Sequence, residues 1–166
     1  MNDKVHQIDW NNHQFTDRAV LCFIQTDSEI LLIHKKKGLG AGKINAPGGR
    51  IEAGETELDA AIRETQEEIG LTPHHLEKMV ELHFVFLDGY SLYCAVFFSR
   101  HWEGNIIETD EALAFWNNIN TIPYHKMWED DQYWLPKALS GQKLRGFFVF
   151  DKDKMLDHRL EIVNIF

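Results

Sequence analysis

Glu64, Glu67 and Glu68 are spaced so that a helix gathers three carboxylates within roughly 100° of one face, since positions three and four apart lie together. An oxygen-only cluster of this kind suits a hard divalent cation. Magnesium takes six oxygens, keeps several waters, and is usually held by a few carboxylates together with substrate phosphate. Upstream, Gly48 and Gly49 predict a sharp backbone turn that exposes a carbonyl as a further ligand, and Gly54-Glu55 closes the loop onto the helix. Three acids in this spacing, taken alone, read first as a solvated, salt-bridged helix face. The glycines and Arg63 at fixed offsets turn the balance toward a site. The formal net charge of −9 repels any polyphosphate, and an intervening cation removes that conflict.

These acids must ride on a helix placed at about 56 to 69. Thr56 serves as N-cap with Asp59 three residues on, and Gly70 sits where a helix ends in the left-handed conformation. Leu58, Ala61, Ile62, Thr65 and Ile69 form an apolar stripe about 130° from the carboxylates, so the helix can dock on a core while its acids face a cleft. Ala60 falls on the acidic side and is small, leaving room for an ion or phosphate. Arg63 can hold Glu67 by an i,i+4 pair.

The whole pattern, Gly49-Arg50-Ile51-Glu52-Ala53-Gly54-Glu55 followed after seven residues by Arg63-Glu64-Thr65-Gln66-Glu67-Glu68-Ile69-Gly70-Leu71, resembles the signature of the Nudix hydrolases. Thr65 departs from it, standing where the family has a bulky apolar residue, but it faces the core. The resemblance implies an α/β fold, a mixed β-sheet sandwiched between helices (α/β/α), and water attack on phosphorus within a pyrophosphate linkage. It implies Mg²⁺, or Mn²⁺, held by Glu64, Glu67, Glu68 and a carbonyl of Gly48 or Gly49. The cation would neutralise phosphate charge and acidify water. Which glutamate takes the proton varies among relatives. Glu111 matches a more distant acid of the metal site, and an exposed loop acid is the competing reading.

The chain of 166 residues suits one domain, 1–166, with residues 1–13 as an extension of unassigned role. No secretory signal is apparent at the start, and the apolar runs Ala19 to Ile24 and Tyr93 to Phe98 are too short to span a bilayer, so a cytoplasmic protein without membrane association is expected. The acidic balance argues against a nucleic-acid polymer as partner. Cys22 and Cys94, the two cysteines, lie in strand-like runs and read as buried thiols. Nine histidines form no zinc-ligand spacing, and His74-His75 reads as loop. Composition carries no signal for an oligomeric state.

Strand patterns predict a hairpin of Phe15–Thr26 with Ile30–Lys35 across Asp27-Ser28, and another of Met79–Leu87 with Ser91–Ser99 across Asp88-Gly89. Further strands are expected at 112–117, 143–150 and 155–162, the last two joined by a turn at Asp151 to Lys154. A helix is expected at about 130–140 despite Pro136. Of the basic run Lys35-Lys36-Lys37, a solvated turn is one account. Contact of Lys35, or of Lys43 nearby, with substrate phosphate is the other.

Met127-Trp128-Glu129-Asp130-Asp131-Gln132-Tyr133-Trp134 combines flat aromatic surface with adjacent acids that accept when ionised and donate when protonated; taken alone, the segment reads first as core tryptophans, Trp128 and Trp134, with Asp130-Asp131 capping a helix. Together with Gly38 to Asn45 it resembles the Nudix group that hydrolyses oxidised purine nucleoside triphosphates, 8-oxo-dGTP and 2-hydroxy-dATP, to monophosphate and pyrophosphate. That likeness implies that Asn45, Trp128, Asp130 and Asp131 contact the base and that Phe84 lines the pocket. Leu39 stands where the group has an aromatic pocket wall, and Ile44 where it has tryptophan. Hydrolysis of another nucleotide (an ordinary triphosphate, a dinucleoside polyphosphate, a nucleotide sugar) and a non-catalytic nucleotide sensor are the competing functions.

Overall fold

The computed structural model describes residues 4–166. Its frame is a six-stranded mixed sheet in the order β11-β10-β6-β7-β1-β4, built from β1 (Asp17–Ile24), β4 (Gly48–Arg50), β6 (Glu77–Phe86), β7 (Ser91–Ser99), β10 (Lys143–Asp151) and β11 (Lys154–Val163). β1 runs parallel to β7 and β10 parallel to β6, while the other pairs are antiparallel. A three-stranded antiparallel sheet joins β3 (Ile44–Asn45), β2 (Glu29–Lys35) and β9 (Ala112–Asn118). β5 (Leu71–His74) and β8 (His101–Gly104) form a short antiparallel pair.

One helix lies on each face of the large sheet. On α1 (Glu57–Ile69), Ala60, Ala61 and Ile69 pack with Val20, Cys22 and Ile24 of β1. On α2 (Asp131–Leu139), Trp134, Leu135 and Ala138 pack with Phe23, Leu82, Val96 and Phe148 on the other face. Strand residues are buried on both sides because alternate side chains enter opposite cores. The α/β/α arrangement expected from the sequence is the one observed, as is the hairpin of β6 and β7.

The first expected hairpin forms only at its turn: across Asp27-Ser28 the Thr26 amide donates to the Glu29 carbonyl at 2.8 Å and Gln25 bridges Ile30, after which β1 and β2 diverge into different sheets. β2 buries Ile30 and Leu32 in one core and Leu31 and Ile33 in the other, so it inserts between layers and pairs with β9. Gly48 and Gly49 also differ from expectation, being extended residues of β4 and not a turn. His74 lies on β5, where Leu71 and Pro73 alternate inward. Both cysteines are free and buried.

Of residues 1–13, the first three fall outside the described region. Val5 and Trp10 cover Phe147 and Val149, the part of the α1 face that α1 does not reach. The Trp10 indole donates to the Val5 carbonyl at 2.9 Å, and the Val5 amide donates to Asp157 Oδ2 at 2.8 Å. The start of α1 is tied to the sheet by a half-buried network. Lys78 Nζ donates to Glu57 at 2.7 Å and to Glu81 at 2.6 Å, the Tyr93 hydroxyl lies 2.7 Å from Glu57 and 2.8 Å from Glu81, and Arg145 Nε donates to Glu81 at 2.9 Å.

Candidate active site

Thr56 caps α1 by accepting the Asp59 amide at 3.1 Å, and Gly70 ends it at φ 84°. Between these ends the buried stripe is Ala60, Ala61, Thr65, Glu68 and Ile69, so the helix is rotated from the sequence expectation. Ala60 belongs to the core and leaves no room for an ion, while Leu58 is exposed. Thr65 is fully buried and its hydroxyl donates to the Ala61 carbonyl at 2.7 Å, which satisfies the polar group on the core side.

The rotation sends Glu64 and Glu68 under β4. A β-carbon on Gly49 would stand 2.4 Å from the Glu64 carboxyl carbon, and one on Gly48 would stand 2.1 Å from the Val20 carbonyl oxygen. The two glycines therefore serve close approach: the backbone must lie against the carboxylate on one side and against β1 on the other. Glu68 accepts the Gly48 amide at 3.4 Å. Burial pushes the Glu68 carboxyl up to about 7, with the Gly48 amide and Lys35 opposing. Burial also raises Glu64, against the pull of Arg63.

Glu111 completes the acidic cluster. Ligand oxygens of Glu64, Glu68 and Glu111 lie within 4.8 Å of one another. The loop carrying Glu111 is held by Thr109, whose hydroxyl donates to the Glu68 carbonyl at 2.8 Å and accepts the Glu111 amide at 3.3 Å. Lys36 fixes the same loop: its amide donates to the Glu111 carbonyl at 2.9 Å, and its ammonium donates to Glu108 and to the Thr109 carbonyl. Lys37 pairs with Asp110 at 2.8 Å. The basic run is thus divided: Lys36 and Lys37 fasten a loop while Lys35 lines the cleft beside Glu68. Three carboxylates supply an all-oxygen donor set that fits a hard divalent cation.

Glu67 lies apart from this cluster, with an exposed carboxylate 3.2 Å from Arg63 Nη1. Arg63 is mainly engaged elsewhere. It donates through Nε and Nη2 to both oxygens of Glu55 at 2.6 and 2.8 Å, through Nη1 to Glu64 at 2.8 Å, and through Nη2 to the Arg50 carbonyl at 3.1 Å. This bidentate pair, strong by geometry, holds the Glu55 carboxyl down at about 2. The Glu55–Arg63–Glu64 chain and Thr109 escaped the sequence reading. Glu55 at the loop end was the available signal for the first, whereas the contact of Thr109 with Glu68 is long-range.

The cleft continues from Lys35, Gly48, Gly49 and Glu68 to Asn45, Phe84, Trp128, Asp130 and Asp131, which line one cavity. Asp130 and Asp131 are buried, and the Trp134 indole donates to Asp130 Oδ2 at 2.8 Å. Asp130 Oδ1 and Asp131 Oδ2 have no hydrogen-bond partner among the described residues. Burial raises Asp130 to about 6, and burial beside Asp130 raises Asp131 well above the usual carboxylate range. Lys43 sits 5.2 Å over the Trp128 ring. Leu39 stands outside this cavity. It is exposed and borders a neighbouring cleft with Arg50, Phe86, Tyr90 and Trp128. Ile44 is buried in the core and presents no flat surface to a base.

The family profile described as NUDIX domain matches residues 15–138. The oxidized purine nucleoside triphosphate hydrolase of Danio rerio is 37% identical over 90% of this chain and 97% of its own length. The enzyme of the same name from Mus musculus is 36% identical over 88% of this chain and 95% of its own. Among solved structures, the mutator MutT protein from Bacillus halodurans superposes with a TM-score of 0.77 at 26% identity, over 87% of this chain and 97% of its own. No helix among the described residues is long and apolar enough to cross a membrane.

Proposed function

The chain belongs to the Nudix family, and from that premise we propose that it hydrolyses oxidised purine nucleoside triphosphates to the monophosphate and pyrophosphate. The observation that carries this reading is the continuity of one cavity from the acidic cluster at Glu68 to two buried aspartates with unpartnered oxygens. A purine whose oxidation has added or moved N–H and C=O groups is read by carboxyls that can hold a proton. One protonated and one ionised carboxyl offer a donor beside an acceptor, and Asn45 offers both.

In this proposal Glu64, Glu68 and Glu111 would hold Mg²⁺, with the backbone of Gly48 and Gly49 alongside and Glu67, now exposed beside Arg63, as a further ligand. The cation would supply neutralisation of phosphate charge and a more acidic water. Lys35, beside Glu68, offers its ammonium to the phosphate chain. Glu68, raised by burial to about 7, is suited to take a proton near neutral pH, and burial raises Glu64 in the same direction. Arg63 acts as a positioning residue, fixing Glu64 through two hydrogen-bonded carboxylates. Trp128 and Phe84 supply the aromatic walls, and Trp128 alone offers the stacking face that Leu39 and Ile44 do not.

The test is kcat/KM for 8-oxo-dGTP, 2-hydroxy-dATP, dGTP, dATP, diadenosine polyphosphate and ADP-ribose with Mg²⁺. A preference of about tenfold or more for the oxidised purines is expected, equivalent to about 1.4 kcal/mol at the transition state. Equal turnover of dGTP would make the protein a general nucleotide hydrolase. Nucleotide binding without turnover would make it a sensor.

A further inference from the structure

The large sheet ends in two unlike edges. β4, beside the acidic cluster, is three residues long, whereas β11 runs for ten and among the described residues pairs with β10 alone. A long edge strand offers unpaired N–H and C=O groups to another strand, and shortness, proline or a covering element normally prevents such pairing. β11 has no proline. The Phe150 carbonyl points away from β11 to accept the Leu87 amide at 3.0 Å, and the His158 amide points away from β10 to donate to Asp157 Oδ1 at 2.9 Å. By the strand period of two, the amides and carbonyls of Leu160 and Ile162 lie on that same outer rim.

The side chains along this rim complement a second copy of themselves. Laid antiparallel about a two-fold axis at Leu160, two β11 strands set Arg159 of each opposite Glu161 of the other. These fall at the closely spaced kind of antiparallel pair, where opposite charges are favourable. On the other face of the strand, Ile162 is 64% exposed. The same register sets it opposite His158 of the other copy, whose ring stacks on the exposed Tyr133 at 4.5 Å. Neighbouring registers lack this match. An axis at Arg159 or at Glu161 opposes like charges, and an axis at His158 sets Arg159 against Asp157, whose oxygens already accept the Val5 and His158 amides at 2.8 and 2.9 Å.

We propose that β11 is a self-association surface, pairing antiparallel with β11 of a second copy of this chain about a two-fold axis at Leu160. Arg159 and Glu161 fix the register, Leu160 and Ile162 supply the main-chain hydrogen bonds, and Ile162 seals against His158 and Tyr133. The interface is isologous and joins the two large sheets edge to edge. It is independent of the catalytic reading above, because the acidic cluster lies under β4 at the far edge of the sheet.

Sedimentation equilibrium of the full-length protein between about 1 µM and about 500 µM should show a mass moving from one chain toward two, the range in which a micromolar dissociation constant is read. Over the same range, hydrogen–deuterium exchange at the Leu160 and Ile162 amides should slow as concentration rises, a readout that needs no variant. Arg159→Glu opposes like charges at two places and should raise the dissociation constant at least about tenfold. Combining it with Glu161→Arg restores opposite charges and should restore association. A mass of one chain throughout the range would overturn the proposal. So would association that Arg159→Glu leaves unchanged, association that the charge-swapped double variant fails to recover, or exchange at Leu160 and Ile162 that ignores concentration.

Discussion

Gly49 and Glu64 are in contact: a β-carbon at residue 49 would lie 2.4 Å from the Glu64 carboxyl carbon. The backbone of β4 is therefore one wall of the acidic cluster, and the position of Glu64 depends on residue 49 having no side chain. Gly49→Ala should displace that carboxylate by about 1 Å. A displacement of this size near reacting atoms lowers kcat by roughly 10²-fold. Single-turnover rates together with a magnesium isotherm for the variant check this. Wild-type kcat would show that the cluster tolerates the displacement.

Glu68 and Glu67 are adjacent but stand in different surroundings, one buried under Gly48 and the other exposed beside Arg63. Glu68→Gln should cost roughly 10²–10⁴ in kcat if the carboxylate both holds the cation and accepts a proton. Glu67→Gln should also lower kcat, by less than Glu68→Gln and to a degree that shrinks as magnesium is raised, because Glu67 would join the cluster only with the cation bound. Comparing the two variants at several magnesium concentrations checks this, and a Glu67→Gln enzyme with wild-type magnesium dependence would remove Glu67 from the metal site.

Thr109 joins Glu68 to Glu111 through one hydroxyl. Thr109→Val removes these bonds and the one the hydroxyl accepts from the Ala112 amide at 3.3 Å, at nearly constant shape, and should destabilise the fold by about 1–2 kcal/mol. It should also weaken magnesium binding by roughly tenfold, as loss of a ligand-orienting contact does. Denaturant midpoints and metal titration measure the two effects independently.

Asp130 and Asp131 give the stability of the ligand-free protein a pH dependence of definite sign. Their carboxyls are raised by burial, so the folded chain binds protons more tightly than the unfolded chain. Their contribution is complete below the ordinary aspartate value near 4 and is lost as pH rises through about 6 and beyond. Glu68, raised to about 7, acts in the same direction. Melting temperature without metal or nucleotide should fall between pH 5 and pH 8. Asp131→Asn should flatten that fall, because the substituted carboxamide takes up no proton in either state. A pH-independent melting temperature would contradict the burial of these acids.

Tyr93 bridges Glu57 at the first turn of α1 and Glu81 on the sheet. Tyr93→Phe leaves the ring packed and removes the shared hydroxyl, with an expected loss of about 1–3 kcal/mol. If the network only anchors α1, kcat should change by less than about threefold at temperatures where the variant is folded. Far-UV melting and steady-state kinetics test the pair of expectations.

Much of this was legible in the linear sequence because the information is local. Thr56 and Gly70 bound α1, and Glu64 and Glu68 share a face simply because a helix repeats every 3.6 residues. The adjacent acids Asp130-Asp131 and the β6–β7 hairpin lie within single segments, as do the isolated cysteines in apolar runs. Long-range pairing decided the rest. β2 left β1 because its two faces serve two cores, a fact that becomes visible only when both cores exist. Gly48 and Gly49 look like a turn in sequence but are strand residues whose missing side chains admit Val20 on one side and Glu64 on the other. The rotation of α1 took Ala60 into the core and left Glu67 outside the cluster, while Thr109 and Lys36 brought in Glu111 from some forty residues away. The sequence by itself determined which residues could do chemistry, because side-chain type and helical period are intrinsic to the chain. Only the tertiary structure decided which of them meet, because contact between distant segments is set by how both sheet faces are filled.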